Sequence, residues 1–145
     1  MAVLVVLLVS WVVFRGIGLL GVSALASWQA SARYALAVMF AMTGSAHFTP
    51  MKHDLALMVP RAFPRPMWIV YVTGVLEFLG AVGLLVPKMR TVAGICLIVL
   101  LVAMFPANVR AARERLPLRG KPVTALWLRL PMQIFFIGLI WWASR

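Results

Sequence analysis

The sequence predicts an all-α bundle of five transmembrane helices, and three observations lead to this fold class. Hydrophobic residues make up 64% of the 145 positions and charged residues 12%, whereas a soluble domain is about half apolar and about a quarter charged. The mean hydropathy is +1.02. The apolar residues fall into five segments separated by short connections rich in proline and charge. Residues 1–145 therefore form a single bundle, with no room for a separate soluble domain.

Each apolar segment is predicted to be a helix, because the bilayer core offers no water to an unpaired backbone. A span needs about 20 residues, and all segments but the second approach that length. A helix as short as the second one tilts little or thins the bilayer around it. In chain order the five segments are residues 2–25, 33–48 with its flanks, 67–86, 91–109 and 126–143.

The first segment has two interpretations. Ala24-Leu25-Ala26 resembles a signal-peptidase site. However, no Lys or Arg precedes the apolar stretch, Arg15 interrupts it, and it is too long for the core of a signal peptide. We therefore expect a retained helix. Between the second and third segments, residues 51–66 are predicted to form a short amphipathic segment on the lipid headgroups.

The distribution of basic residues predicts the orientation. The net charge is +11, but the charges lie in loops between apolar segments, which indicates membrane topology and anionic lipids rather than nucleic acid. Because basic residues favour the cytoplasmic side, we expect a cytoplasmic N-terminus and an extracytoplasmic C-terminus. One side carries Lys52, Arg61, Arg65, Arg110, Arg113, Arg115, Arg119 and Lys121, and the other carries Arg33, Lys88, Arg90 and Arg145.

Glu77 indicates a polar site inside the bundle. It lies in the middle of the apolar run from Trp68 to Val86 and is one of only three acidic residues in the chain. A charged group near the bilayer midplane costs about 3 kcal/mol on insertion scales, and such groups usually have a partner and a function.

Other polar residues within the spans are predicted to join Glu77 in a shared cavity in the cytoplasmic half. Thr73 lies one turn before Glu77 on the same helical face, and the others lie toward the cytoplasmic ends of their helices. We expect Glu77 to pair with Arg129. The alternative is that these polar residues have a purely structural role, since polar contacts between membrane helices are common and contribute only about 0.6 kcal/mol each on average. The candidate ligand-binding residues are Glu77, His47, Asn108, Gln133, Arg129 and Thr73.

Other patterns carry little weight. Gly16-Ile-Gly18-Leu-Leu-Gly21 matches a dinucleotide fingerprint, but no strand precedes it and no acidic residue follows at the required spacing. Its glycines are better explained by close helix packing. Cys96 is a lone thiol and cannot form an intramolecular disulfide. Two histidines and one acid at membrane depth do not make a metal site, so none is predicted. Arg15 has three readings: a partner for Glu77, a snorkelling side chain, or a contact to another subunit.

Several motifs, taken together and in order, resemble the DoxX-like membrane proteins. The resemblance covers the chain from about Arg33 to the C-terminus. It implies a small bacterial inner-membrane protein with a four-helix core, here residues 31–145, and makes residues 1–28 an additional N-terminal helix. The motifs are Thr43-Gly-Ser-Ala-His47-Phe48, Met58-Val-Pro60, Thr73-Gly-Val-Leu-Glu77, Gly83-Leu-Leu-Val-Pro87, Phe105-Pro-Ala-Asn108 and Trp127-Leu-Arg129-Leu-Pro-Met-Gln133.

Three functions remain open. Relatives in that family have been linked to quinone-coupled sulfur oxidation and to assemblies that handle oxidative stress, but the resemblance implies no agreed catalytic residues. We favour a binding module for a lipid-like or quinone-like ligand, with quinone the candidate cofactor. The second hypothesis is an accessory subunit that binds a membrane redox protein. The third is an enzyme in which Glu77 and His47 act as acid and base on a bound lipid. Membrane lipids are partners in every case, and the oligomeric state is open.

Overall fold

The computed structural model describes residues 2–145, apart from the side chain of Pro122. Within them, the chain forms six α-helices and a hairpin of two very short antiparallel strands. The helices are α1 (Ala2–Leu19), α2 (Trp28–Ala46), α3 (Lys52–Met58), α4 (Pro66–Leu85), α5 (Arg90–Arg113) and α6 (Leu126–Ala143), and the strands are β1 (Pro117–Leu118) and β2 (Lys121–Pro122).

Four of the helices, α1, α4, α5 and α6, are long and apolar enough to cross a membrane by length and composition. Each also presents large apolar side chains on the outside of the bundle, among them Val12, Leu79 and Val99, each more than 60% exposed. An apolar outer surface this extensive is unusual for a soluble monomer. The all-helical prediction is thus confirmed, with four helices that are compatible with membrane spans.

The long helices alternate in direction, which defines two ends of the bundle. Arg33 near the start of α2 and Thr91 near the start of α5 both donate hydrogen bonds to carbonyls at the end of α6, those of Ala143 and Ser144. We call this the Arg33 end. At the other end, which we call the α3 end, α2 and α5 finish while α4 and α6 begin.

Helix α2 lies in the centre of the bundle. It packs against α1, α4 and α6, and ten of its residues are buried, whereas α1 buries only Leu7. Its start is fixed by Ser27, whose hydroxyl accepts the backbone N–H of Ala30 at 3.0 Å, as expected of an N-cap. Leu36 and Phe40 of α2 pack in the main apolar core with side chains from α4, α5 and α6.

Two glycines bring α2 and α4 close together. A Cβ added at Gly74 would lie 2.5 Å from the Cβ of His47, and one added at Gly44 would lie 3.2 Å from the carbonyl oxygen of Gly74. Small residues at a helix crossing permit such close backbone approach. The contact sets the register so that α2 ends beside Thr73. That position is about 10 Å along α4 from Pro66, at a rise of about 1.5 Å per residue.

The short helix α3 covers the bundle where α2 stops. It packs against α4 and α5, with Met58 buried at its last residue. Arg110 of α5 donates a hydrogen bond to the carbonyl of Val59, and Asp54 accepts the backbone N–H of Arg119 at the hairpin, at 2.9 Å. The amphipathic segment predicted at residues 51–66 therefore contains one helix of seven residues.

Helix α1 is shorter than its apolar segment, because the chain turns after Leu19. A Cβ at Gly18 would lie 2.0 Å from the carbonyl oxygen of Leu25, and Gly21 has a φ of +104°. These two glycines serve a turn rather than the helix crossing that the sequence predicted. A Cβ at Gly16 would contact nothing within 4 Å. The motif lies in a helix end and turn, which does not provide the strand that a dinucleotide site needs.

Candidate functional site

Glu77 lies inside the bundle with only 4% of its surface exposed. Its carboxyl contacts two residues of α2. The hydroxyl of Thr43 donates to Oε2 at 2.5 Å, and Nε2 of His47 lies 3.5 Å from Oε1. The second distance is longer than an ordinary hydrogen bond, so His47 and Glu77 form a close acid–base contact. The predicted interior position of Glu77 is correct.

His47 follows the last residue of α2 and is 5% exposed. Its Nδ1 lies 2.7 Å from the carbonyl oxygen of Val70. Because a carbonyl can only accept, Nδ1 carries a hydrogen and donates it. The other nitrogen, Nε2, is thereby directed at Glu77. Thr73 borders the ring, with its hydroxyl 3.2 Å from Nδ1, and that hydroxyl also donates to the carbonyl of Ile69 at 2.8 Å.

His47 and Glu77 have two protonation arrangements in which the two side chains together carry no net charge. With the proton on the carboxyl, both groups are neutral; with it on Nε2, they form an ion pair. The net charge of the two side chains is zero in either state, which lowers the cost of keeping them in an apolar interior.

The predicted pairing of Glu77 with Arg129 is wrong. Arg129 donates from Nη1 to Oδ1 of Asn108 at 2.7 Å, which joins α6 to α5. Gln133, one turn further along α6, donates to the carbonyl of Leu101 at 3.0 Å. The reason is the glycine contact between α2 and α4, which presses the polar face of α2 directly against Glu77.

The six predicted residues thus separate into two groups. The His47–Glu77 group, with Thr43 and Thr73, lies between α2 and α4. The Arg129 group, with Asn108 and Gln133, lies between α5 and α6. Within residues 2–145, no hydrogen bond or ion pair joins one group to the other.

Three aromatic side chains flank the His47–Glu77 group. Phe48 stacks on Tyr71 with ring centroids 5.8 Å apart and lies 6.0 Å from Phe78. Phe48 is 47% exposed, so this aromatic cluster opens onto the outside of the bundle. Lys52 of α3 donates to the hydroxyl of Tyr71 at 3.0 Å and lies 5.5 Å from the centre of its ring.

Sequence reasoning missed the roles of Thr43, Tyr71 and Lys52. Tyr71 and Phe78 are seven residues apart on α4, which places them on one helical face, so part of the aromatic cluster was detectable. Thr43 and His47 are four residues apart, which also places them on one helical face, but the direct bond from Thr43 to Glu77 depends on the register between helices. The contact between Lys52 and Tyr71 depends on where α3 folds back, which no local pattern in the sequence indicates.

Two shallow grooves lie elsewhere, on both sides of α6 at Gly138. One has a volume of about 400 Å³ and is lined by Trp11, Phe135, Leu139 and Trp142 beside the glycine. The other, about 390 Å³, lies against α5. Both are shallow, apolar and free of the predicted polar residues. They fit an apolar partner surface or lipid chains better than a polar head.

The other residues singled out in the sequence lie outside these two groups. Arg15 lies 5.2 Å from the ring centre of Trp28, so it forms a cation–π contact at the Arg33 end rather than a pair with Glu77. Cys96 is exposed on α5. Among the residues that the structure describes, no three His, Cys, Asp or Glu side chains converge as metal ligands would.

Comparison with known proteins gives a family and no function. No curated protein and no solved structure matches the chain. A family described as a domain of unknown function, DUF8561, matches residues 36–145. The match begins within α2 and includes the His47–Glu77 group, the aromatic cluster and the Arg129 group, while α1 lies before it. The chain belongs to the DUF8561 family.

Proposed function

We propose that this chain is a multi-pass membrane protein that binds a lipid-like or quinone-like ligand beside the His47–Glu77 group. In this proposal α2 is a fifth span, and the membrane is the bacterial inner membrane. The single observation that carries the proposal is the buried acid–base pair: His47 and Glu77 are 5% and 4% exposed inside an otherwise apolar bundle.

The depth of Glu77 argues against a purely structural role. It lies about 16 Å along α4 from Pro66, near the middle of a span about 30 Å long. A carboxyl there costs about 3 kcal/mol on insertion scales, whereas interhelical polar contacts return about 0.6 kcal/mol on average. Apolar side chains would join the helices at a lower free-energy cost. A group that forms a hydrogen bond with a ligand carbonyl or hydroxyl accounts for the free-energy cost of the carboxyl.

The aromatic cluster provides the surface for the ligand's ring or chain. Phe48, Tyr71 and Phe78 can stack on a planar ring in offset or edge-on geometry, which contributes about 1 kcal/mol per aromatic pair. Thr43 and Thr73 form the half-buried rim through which a polar head reaches the acid–base pair. Quinone-like ligands combine these features, since a flat ring carries carbonyls that accept hydrogen bonds.

The resemblance to DoxX-like proteins supports the same ligand class, because relatives in that family are linked to quinone-coupled chemistry.

The basic residues support a cytoplasmic α3 end. With Arg129 counted at the α3 end and Arg15 at the Arg33 end, nine of the fourteen basic residues lie at the α3 end. Under the positive-inside rule this puts the N-terminus in the cytoplasm and the C-terminus outside.

Ligand binding is tested with the full chain purified in a mild non-ionic detergent. Solvent extracts are analysed by mass spectrometry for a retained quinone or lipid, and binding of a short-chain quinone is measured by calorimetry. We expect Glu77→Gln and Phe48→Ala to weaken binding by roughly tenfold, equivalent to about 1.4 kcal/mol. Gln133→Leu is the matched control, because it removes a polar group of the other cluster. Equal binding by all four proteins, or no binding by any, would refute the proposed site.

An accessory subunit of a membrane redox complex is the second candidate. The grooves at Gly138 favour it, because a Cβ at Gly138 would contact nothing within 4 Å and both grooves are apolar. A helix of a partner could pack there as small residues permit. Purification in mild detergent distinguishes the candidates: a stoichiometric partner that is lost in Gly138→Leu supports the subunit, whereas a retained ligand without a partner supports the binding module.

The proposed topology is tested with reporter fusions. A reporter that is active only outside the cytoplasm should be active when fused after Arg145 and silent when fused within residues 113–121. The reverse pattern would invert the bundle while leaving the binding site in place.

A further inference from the structure

The Arg33 end of the bundle carries a positive charge without a counter-ion from the chain's side chains. The chain has three acidic residues, and each is engaged elsewhere. Asp54 accepts from the backbone of Arg119, Glu77 contacts His47, and Glu114 bonds a neighbouring arginine one turn earlier in α5. The basic residues of the Arg33 end are Arg15, Arg33, Lys88, Arg90 and Arg145.

Arg33 is the most buried of these, at 9% exposed. Its Nη1 donates to the carbonyl of Ala143 at 3.0 Å. Gln29, one turn earlier on α2, donates to the carbonyl of Trp142 at 2.7 Å. The carboxyl end of α6 carries a partial negative charge, so a cation is favourable there. This contact explains why one arginine is tolerated at this position.

It does not explain the second arginine. Arg90 begins α5, and its Nε is buried without a hydrogen-bond partner among the residues that the structure describes. The adjacent Thr91 donates to the carbonyl of Ser144 at 3.2 Å, so α5 is held against the same helix end. Two arginines therefore lie at one helix end with no acidic side chain beside them, an arrangement that favours the binding of an anion.

We propose that Arg33 and Arg90 bind the phosphate of an anionic phospholipid headgroup. Guanidinium groups match phosphate oxygens in planar geometry better than ammonium groups do. The depth is suitable, because tryptophans mark the membrane interface: Trp28 lies under Arg15 at 5.2 Å and Trp141 under Arg145 at 3.8 Å. This site lies at the opposite end from α3 and is independent of the ligand proposed at the His47–Glu77 group.

The test measures thermal stability of the full chain in a non-ionic detergent at constant ionic strength. Short-chain phosphatidylglycerol, short-chain phosphatidylcholine and inorganic phosphate are titrated separately. We expect phosphatidylglycerol to raise the melting temperature in a saturable way, and phosphatidylcholine, whose ammonium compensates its phosphate, to have little effect. Stabilisation by inorganic phosphate at similar concentrations would assign the same site to the free anion instead of the lipid.

Variants localise the effect. Arg33→Gln and Arg90→Gln should each weaken the apparent affinity by roughly tenfold, the usual effect of losing a charge-assisted hydrogen bond. Arg113→Gln, an exposed residue at the α3 end, removes the same charge and should leave the affinity unchanged. Arg33→Lys replaces Arg33→Gln if the latter does not fold, and should also weaken binding. The proposal is overturned if the response to phosphatidylglycerol matches that to phosphatidylcholine, or if the Arg33 and Arg90 variants behave like Arg113→Gln.

Discussion

The contact between His47 and Glu77 makes a quantitative prediction about stability. Glu77→Leu removes the acceptor of the 2.5 Å bond from Thr43 and the group 3.5 Å from Nε2 of His47. Interhelical hydrogen bonds in membranes reach at most about 1.7 kcal/mol, and a buried polar atom left unpaired costs about 1–3 kcal/mol. We therefore expect Glu77→Leu to lower the free energy of unfolding by about 2 kcal/mol.

A double-mutant cycle isolates the acid–base contact from the rest. His47→Leu also leaves one buried partner alone, whereas the double variant replaces both with apolar groups, which is often nearly neutral for a buried pair. The double variant should then cost about 1–2 kcal/mol less than the sum of the single variants. Glu77→Gln keeps an acceptor for Thr43 and should cost about 1 kcal/mol or less.

The measurement is unfolding in mixed micelles of increasing denaturing-detergent content, followed by helical circular dichroism. Gln133→Leu serves as the comparison for a polar group outside the contact. Additivity of the two single variants within about 0.5 kcal/mol would show that His47 and Glu77 do not interact energetically. In that case the contact between His47 and Glu77 would contribute nothing to stability.

Three further predictions follow from the packing and charges. Gly74→Ala should destabilise the protein by about 1–3 kcal/mol through overpacking, measured by the same unfolding assay, because the added Cβ would lie 2.5 Å from the Cβ of His47. Asn108→Leu should cost about 1–3 kcal/mol, since it leaves the guanidinium of Arg129 without its partner, and a loss no larger than that of Gln133→Leu would contradict this. The hydrogen bond from an arginine one turn earlier lowers the pKa of Glu114 below its ordinary value of 4.5. The stabilisation by this hydrogen bond is therefore fully present above about pH 4.5 and is lost on further acidification. The unfolding curves of Glu114→Gln and the native protein should differ slightly at neutral pH and converge as the pH falls through the lowered pKa.

The fold was largely predictable because helices in a membrane follow from composition. The predicted last segment coincides with α6 (Leu126–Ala143), and the predicted third segment differs from α4 (Pro66–Leu85) by one residue at each end. Both follow from runs of apolar residues bounded by proline or charge, which is local information. The end of α1 at Leu19 was missed, because its turn depends on a glycine at a positive φ and on a close backbone contact that hydropathy does not report.

The residues of the site were predictable from the sequence, but the contacts between them were not. Glu77 and His47 were identified because buried polar groups are rare in apolar segments. Their pairing was not, since it depends on how α2 slides along α4. The residue that fixes this register is Gly74, and its role is visible only once a Cβ there is seen to overlap His47. The expected partner, Arg129, was chosen by charge alone, and charge does not specify which helices are neighbours.

Helix α2 shows why only four helices have the length and composition of membrane spans while we propose five. Hydropathy measures how well a helix tolerates lipid on all sides. Helix α2 is surrounded by α1, α4 and α6, so little of its surface meets lipid, and it can carry Gln29, Arg33 and Thr43 where each has a hydrogen-bond partner. The apolar outer helices expose the lipid-compatible side chains instead: α1 has one buried residue, whereas α2 has ten. The polar side chains of α2 are therefore compatible with its central position, because neighbouring helices rather than lipid surround most of them.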